Sequence, residues 1–449
     1  MSKRIVLIGA GSAVFTRGLV ADLILSPELG PWEIGLVDVD PSALAVAEGL
    51  TKRMVSARRA ELRVEASTER RELLPGADVV VTTIGVGGRR AWESDVFIPR
   101  RYGVFQPVGD TVMPGGISRA MRMIPALVEI ARDIADLCPS ARYVNYANPM
   151  TANCWAVRQA TGVPVIGLCH GTLRVIRSLA AFAGAPSDEV QALYMGLNHL
   201  TFIYDLRCRR ESLWPRVREE LAAQREGCPG HVLRGEAGFR AADNPFSWSL
   251  FDAYGAYPCC NDRHVTEFFP ERFPGGRYED RTLGVDAFSF EGTIARGDRT
   301  YAAMRAQALG EAPLDEGIFE RASGEHEQLL EVLTALDGDG GKIFAANLPN
   351  GGSVPGLPAD GILELPTVAT GGFLRPVALP DAPPALVAIA AGRLAATRVT
   401  VEAALRFDRD LLVQAVLLDG AIAELATARA LADALLDAQR PYLPEEWFR

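Results

Sequence analysis

A cysteine stands beside a histidine at Cys169-His170, after the apolar run 163–168 and before Gly171. A thiolate is a nucleophile and a metal ligand, and an imidazole next to it can take or give a proton. A second histidine, His199, follows Leu197-Asn198 at the end of another apolar stretch. One thiolate and one imidazole suit borderline divalent ions such as Mn, Fe, Co, Ni or Zn. Two protein ligands leave positions open for water and substrate oxygens, as a catalytic ion requires. Asn148, in Asn145-Tyr146-Ala147-Asn148-Pro149-Met150, both donates and accepts hydrogen bonds and so suits vicinal hydroxyls. Asp110 lies in the turn-rich segment 108–116, where a substrate contact and a helix cap are equally open to it. The eleven residues 257–267 gather Tyr257, Asp262, Arg263, His264 and Glu267. Such density offers general bases with orienting partners, or else a solvated helix start capped by Asp262.

A second group of residues suits a dinucleotide. The apolar run 4–8 ends in Gly9-Ala10-Gly11-Ser12, and helical spacing follows over 12–25. The first glycine permits a tight turn. The second lets a pyrophosphate approach the free N–H groups at a helix N-terminus, where the dipole favours anions. The third position of the fingerprint is Val14 rather than Gly or Ala. The next strand, 33–37, ends at Asp38, placed to bond the ribose hydroxyls of NAD and to repel the 2′-phosphate of NADP. Gly85-Val86-Gly87-Gly88, after a third strand over 77–84, is a further close-approach loop, and Asn145 ends the strand 142–145. The expected NAD contacts are therefore Gly9, Gly11, Ser12, Asp38, Gly85 and Asn145.

The elements that must position these groups alternate along the chain. Strands at 4–8, 33–37, 77–84, 142–145 and 163–168 interleave with helical stretches at 12–25, 41–59 and 119–137. That order predicts an α/β fold, a doubly wound parallel sheet of the Rossmann type. Its strands are continuously apolar, as strands covered on both faces are. Beyond it, 190–210 alternates like strands, 211–330 is mostly helical, 342–380 is rich in Gly and Pro with short strands, and 384–440 forms long Ala/Leu helices. The wide apolar faces of those last helices suit a core or an interface between copies of the chain. The expected organisation is an NAD-binding domain over 1–190 and an α+β catalytic and oligomerisation domain over 191–449.

A net charge of -10 over 449 residues speaks against a nucleic-acid partner, which needs a basic face. Hydrophobic content of 48% and charged content of 23% are those of an ordinary globular protein. The first apolar run is too short for a signal peptide, and no stretch approaches the roughly 18–20 apolar residues of a membrane span. A cytoplasmic chain without a membrane partner is expected. The seven cysteines follow no regular spacing and include no C-x-x-C pair, which disfavours a disulfide framework or a zinc ribbon.

Taken in order, these segments resemble glycoside hydrolase family 4. The similarity rests on IVLIGAGS at the start, GD-x3-PGG at 109–116, NPM at 148–150, GLCHG at 167–171, LNH at 197–199, D-x-H-x-x-E at 262–267, and a late loop running from Asn347 to Pro366. It spans roughly residues 4–370. That family resembles lactate and malate dehydrogenases in fold yet hydrolyses glycosides, and its NAD dependence sets it apart from two-carboxylate hydrolysis. The resemblance implies that Cys169 and His199 hold a divalent metal, manganese in particular. It implies that Asn148, Asp110 and His264 meet the sugar, and that Asp262 or Tyr257 removes the C2 proton. His170 sits where some relatives carry an acid. The implied reaction begins with hydride transfer from C3 to NAD. The resulting ketone acidifies C2–H, C1–O breaks by elimination, water adds, and the hydride returns. A homodimer or homotetramer is implied as well.

Relatives acting on 6-phosphoglycosides carry Cys-Asn or Cys-Asp, then an apolar residue and Pro. Cys169-His170-Gly171-Thr172 departs from that pattern, which disfavours a phosphorylated substrate and resembles members acting on α-glucosides or α-uronides. Arg89, Arg90 and Arg174 suit a C6 carboxylate or sulfonate by fork geometry, so NAD-dependent sulfoquinovosidases, a related group, share the expectation. Two other readings are open. An NAD-dependent dehydrogenase of a hydroxy acid or sugar acid would leave NADH as product and have no use for a metal at Cys169. A non-enzymatic regulator would bind NAD without turnover.

Overall fold

The computed structural model describes residues 2–12, 15–226, 240–320, 328–338 and 341–449; Val14 and Cys228 lie outside the described residues. Six strands, β1 (Lys3–Ile8), β2 (Trp32–Val37), β3 (Leu62–Ser67), β4 (Val79–Thr82), β5 (Arg142–Asn145) and β6 (Val165–Leu168), lie parallel in the order β6-β5-β4-β1-β2-β3. This is the strand order of a dinucleotide-binding sheet, with its crevice at the carboxyl ends of the strands. Ile5, Val6 and Leu7 in β1 and Val79, Val80 and Val81 in β4 are all buried, because helices cover both faces. The helix Pro41–Arg58 starts on Asp40, whose carboxylate accepts the Ser42 and Ala43 N–H groups. No continuous apolar run marks β3: Leu-Arg-Val-Glu-Ala-Ser alternates in polarity, as suits an edge strand with one neighbour.

The chain then adds β7 (Val190–Leu197), β8 (Leu200–Cys208), β9 (Glu211–Ser212) and β10 (Tyr257–Cys259). β11 (Arg277–Tyr278) and β12 (Arg281–Thr282) make a separate hairpin, and β13 (Ile343–Pro349), β14 (Ile362–Thr370) and β15 (Phe373–Pro376) follow. β13 pairs antiparallel with β6, through Ala346 with Leu168 and Asn347 with Gly167. The sheet continues through β14, β7, β8 and β10. Among the described residues the parallel and antiparallel parts form one sheet of thirteen strands.

The helices Pro384–Arg406, Arg409–Asp419 and Leu425–Gln439 pack against the helix Met113–Leu137. Pro384–Arg406 is long and apolar enough to cross a membrane by length and composition. Its Leu386, Leu394 and Val401 are buried in the core, whereas Ala385, Ala388, Gly392 and Ala395 are exposed.

A buried network ties these helices to the nucleotide half. Both arms of Arg122 donate to Asp95 at 2.9 and 2.5 Å, and Ser118 and Gln439 each donate to the same carboxylate at 2.8 Å. Neither charged side chain is exposed. Removing one partner of such a pair strands the other charge, at a cost of about 3–5 kcal/mol. Arg122→Met should lower unfolding stability by about that amount in a urea titration, and Asp95→Leu combined with Arg122→Met should recover much of it.

Candidate active site

The turn after β1 is built for close approach. Gly9 has φ of +95°, and a Cβ there would lie 2.7 Å from the Ile84 amide nitrogen. At Gly11 a Cβ would meet Asp38 Oδ2 at 2.8 Å. The Gly11 N–H donates to Asp38 Oδ2 at 2.8 Å and the Asp40 N–H to Asp38 Oδ1 at 3.0 Å. The acid that ends β2 is thus fixed against the glycine turn. Ser12 Oγ accepts the Phe15 N–H and opens the helix Phe15–Leu25. Gly85 starts the loop after β4, where Gly87 and Gly88 both take positive φ. These side-chain-free turns around one carboxylate fit an adenine dinucleotide. Asn145 does not present its amide to that crevice. It is 1% exposed, its Oδ1 accepts the Thr82 hydroxyl and the Ala147 N–H, and its Nδ2 donates to the Ala147 carbonyl. It shapes the turn that delivers Asn148.

Next to this crevice lies a cavity of about 200 Å³ whose walls include Asp110, Asn148, Cys169, His170, His199 and His264. The loops after β5 and β6 bring Asn148 and Cys169 from the carboxyl edge of the parallel strands. β7 runs antiparallel to β14, so His199 arrives as the tip of the β7–β8 hairpin, with φ of +70°, rather than at the end of a parallel strand. Ligand-type atoms of Asp110, His199 and His264 lie within 4.8 Å of one another. Cys169 Sγ accepts the Gly171 N–H at 3.4 Å and hydrogen-bonds with Cys260 and His199. The Thr111 hydroxyl donates to Asp110 Oδ1 at 2.6 Å and lies 3.0 Å from His199 Nδ1. That contact orients the ring and favours the tautomer with Nε2 open to an ion.

The electrostatics suit a cation. The hydrogen bond with Cys260, aided by His199, holds the Cys169 thiol well below its ordinary value against the opposing effect of burial. Burial works to lower the pKa of His199, but the Cys169 hydrogen bond and charge, with Asp110 and Glu364, raise it to about 9. The His264 ring is 4.3 Å from the His199 ring, and two buried imidazoliums so close repel. Burial and the His199 charge push His264 down to about 3. Burial would raise Asp110, yet His199, His264 and Arg119 hold it below the usual carboxylate range. The cavity therefore sets a thiol held well below its ordinary pKa and a carboxylate held below the usual range against a His199 that stays protonated, and a His264 that stays neutral, at pH 7. A divalent ion fits this donor set by taking the place of the imidazolium proton. Asp110 and His264, expected to meet the sugar, stand at the same point as the expected ligand His199. Asn148 Oδ1 and His170 Nδ1 are buried without a hydrogen-bond partner among the described residues.

Several expected site residues are not brought to the cavity. Asp262 is fully buried and accepts four hydrogen bonds, from the Phe246 and Ser247 N–H groups at 2.8 Å each and the Ser247 and Tyr278 hydroxyls at 2.5 and 2.6 Å. It anchors the start of the helix Pro245–Tyr254 and is not placed to act as a base. Tyr257 in β10 is also fully buried, its ring 4.6 Å from that of Trp248. Arg89 and Arg90 both bind Asp298, at 2.6 and 2.8 Å, on the partly exposed surface. Arg174 does line the cavity, and its guanidinium has no hydrogen-bond or ion-pair partner among the described residues. Sequence reasoning gave no site role to Asn244, Cys260 and Asn261, which stand in the cavity wall. The run Cys259-Cys260-Asn261, directly before Asp262, was the available signal. Glu267, read from the sequence as one of a dense polar cluster, instead has its Oε1 accept the Val108 and Gly109 N–H groups at 2.7 and 2.8 Å and so aims the loop of Asp110.

Fold and site together define a dinucleotide-dependent enzyme with a divalent-metal centre. Residues 4–184 match the model of family 4 glycosyl hydrolases, and residues 194–422 match that of the family 4 glycosyl hydrolase C-terminal domain. The chain belongs to glycosyl hydrolase family 4. It is 30% identical to an α-galactosidase of Rhizobium meliloti, over 99% of this chain and 90% of that protein. It is 31% identical to an α-galacturonidase of Bacillus subtilis, over 93% and 92%. Its fold matches a 6-phospho-α-glucosidase from gut microorganisms, solved in complex with NAD and Mn2+, with a TM-score of 0.84 at 19% identity, covering 99% of each chain.

Binding of Mn2+ can be read from the electron paramagnetic resonance signal of the free ion. Cys169→Ala should abolish it. Thr111→Val, which removes the hydroxyl that orients both His199 and Asp110, should weaken it about 10–100-fold.

Proposed function

We propose that this chain is an NAD- and divalent-metal-dependent glycosidase for non-phosphorylated glycosides bearing an acidic group at C6, the carboxylate of a uronide or the sulfonate of a sulfoquinovoside. The observation that carries this reading is the cluster of Cys169, His199, Asp110 and His264 beside the glycine turns. A hydroxy-acid dehydrogenase has no need of a thiolate metal site. The acidic substrate is supported by Arg174, a guanidinium on the cavity wall that is unpaired among the described residues, and by the likeness to an α-galacturonidase.

When bound, NAD supplies a reversible hydride acceptor and the ion supplies Lewis acidity. The chain's own residues do the rest. Asn148 donates through Nδ2 to Asp110 at 3.1 Å, leaving its buried Oδ1 to accept from a sugar hydroxyl. His170 lines the cavity, has one buried ring nitrogen without a partner among the described residues, and is the imidazole suited to take the proton from C2. Cys169, His199, Asp110 and His264 would hold the ion, and Arg174 would take the C6 anion by its fork.

Nitrophenyl uronides, sulfoquinovosides and neutral glycosides, assayed under reductant with and without NAD and Mn2+, test this reading. Nitrophenol should be released from an acidic glycoside only when both are present, and absorbance at the NADH wavelength should not accumulate. NADH accumulating on a free sugar acid, without nitrophenol from any glycoside, would favour the dehydrogenase instead. Arg174→Leu should lower kcat/KM for the acidic glycoside by about 10–100-fold, the worth of a charge-assisted hydrogen bond, and spare neutral ones. His170→Gln should lower kcat by about 10²–10⁴-fold while binding of NAD and Mn2+ stays intact.

A further inference from the structure

Arg119 and Arg122 lie one turn apart on the helix Met113–Leu137, in opposite circumstances. Arg122 is buried and both its arms are taken by Asp95. Arg119 is half-buried and makes one hydrogen bond, from Nε to the Asn148 carbonyl at 3.1 Å. Neither of its terminal nitrogens meets an acceptor among the described residues, and no carboxylate lies within ion-pair distance. Asp110 acts on Arg119 through space, but its oxygens are engaged by Thr111 and Asn148. A guanidinium carries five donors. Leaving most of them idle and partly desolvated inside a crevice is unfavourable, unless a ligand takes them.

The position of Arg119 indicates which ligand. A Cβ at Gly85 would lie 3.5 Å from Arg119 Nη2. Gly85 follows Ile84, the residue whose amide nitrogen abuts Gly9. The chain of contacts runs from the glycine turn after β1, through the end of β4, to the guanidinium. Nη2 thus lies against the Gly85 loop, beyond the Asn148 carbonyl that holds Nε, and Arg119 is not among the residues that wall the sugar cavity. Asp38 is bonded to the glycine turn itself, through the Gly11 N–H.

We propose that Arg119 binds the pyrophosphate of NAD, adding a cation opposite the neutral N–H groups of the glycine turn. This rests on the NAD-dependent reading above. The expected gain is that of a charge-assisted fork on phosphate.

Binding of NAD, ADP-ribose and adenosine to the full chain, by calorimetry for the tighter ligands and nuclear magnetic resonance titration for adenosine, tests the assignment without recourse to activity. Arg119→Met should weaken NAD and ADP-ribose alike, by about 10–100-fold, and leave adenosine unchanged. Arg119→Lys, which keeps the charge but loses the fork, should recover part of the loss. An equal fall for adenosine would mean a loosened fold and overturn the assignment. A fall for NAD alone would move the contact to the nicotinamide end and overturn it too, as would no fall at all. Failure of the unaltered chain to bind either NAD or ADP-ribose would sink the NAD reading itself, and this inference with it.

Discussion

Burying a carboxylate in the middle of a sheet costs several kcal/mol of lost hydration, and Glu364 in β14 is only 1% exposed. It stands in a row of register partners that crosses the sheet, Gly167 in β6, Asn347 in β13, Glu364 and Gly196 in β7. The Thr172 hydroxyl, just beyond Cys169, donates to Oε1. The side-chain amides of Asn198, just before His199, and of Asn347 each approach Oε2 at 3.3 Å. Burial, with the nearby Cys169 charge, raises Glu364 to about 7 against the pull of these donors. The loop of the thiolate and the loop of the imidazole thus hang on the same group. Their meeting in space depends on it more than on either loop's own conformation.

The same device recurs one layer out. Glu267, 2% exposed and raised by burial to about 8, receives the backbone of Val108 and Gly109. That fixes the loop whose next residues, Asp110 and Thr111, reach His199. Buried acids that touch nothing in the cavity therefore set the geometry of the acid, thiolate and imidazoles that do. Asp262 belongs with them: its four donors make it a strut for the helix Pro245–Tyr254.

Much of this was legible in the residues. The glycine turn, Asp38 and the apolar strands specify local backbone geometry, and local geometry is written locally; the parallel half follows from it. Cys169 and His199 stood out because few residue types bind a borderline metal. Pairing between distant segments is not written locally. Nothing in residues 343–349 says that they splice onto β6, nor that β7 meets β14 head to tail, so the route by which His199 reaches Cys169 was hidden. Density of functional groups misled at Asp262 and Tyr257, because a polar cluster before a short helix serves equally to anchor it. Arg89 and Arg90 misled for a related reason: Asp298, far along the chain, was already their partner.

The splice between β6 and β13 has a consequence for the catalytic cycle. Main-chain hydrogen bonds run without interruption from the parallel strands into the antiparallel ones, so the sugar cavity, walled by residues of both parts, cannot be prised open like a hinge without tearing a ladder. A dehydrogenase must swap its coenzyme at every turnover and gains from a door. An enzyme that hands the hydride back finishes with the same nucleotide it started with, and only the sugar has to come and go. For the hydride-returning cycle proposed above, a stiff frame is no handicap.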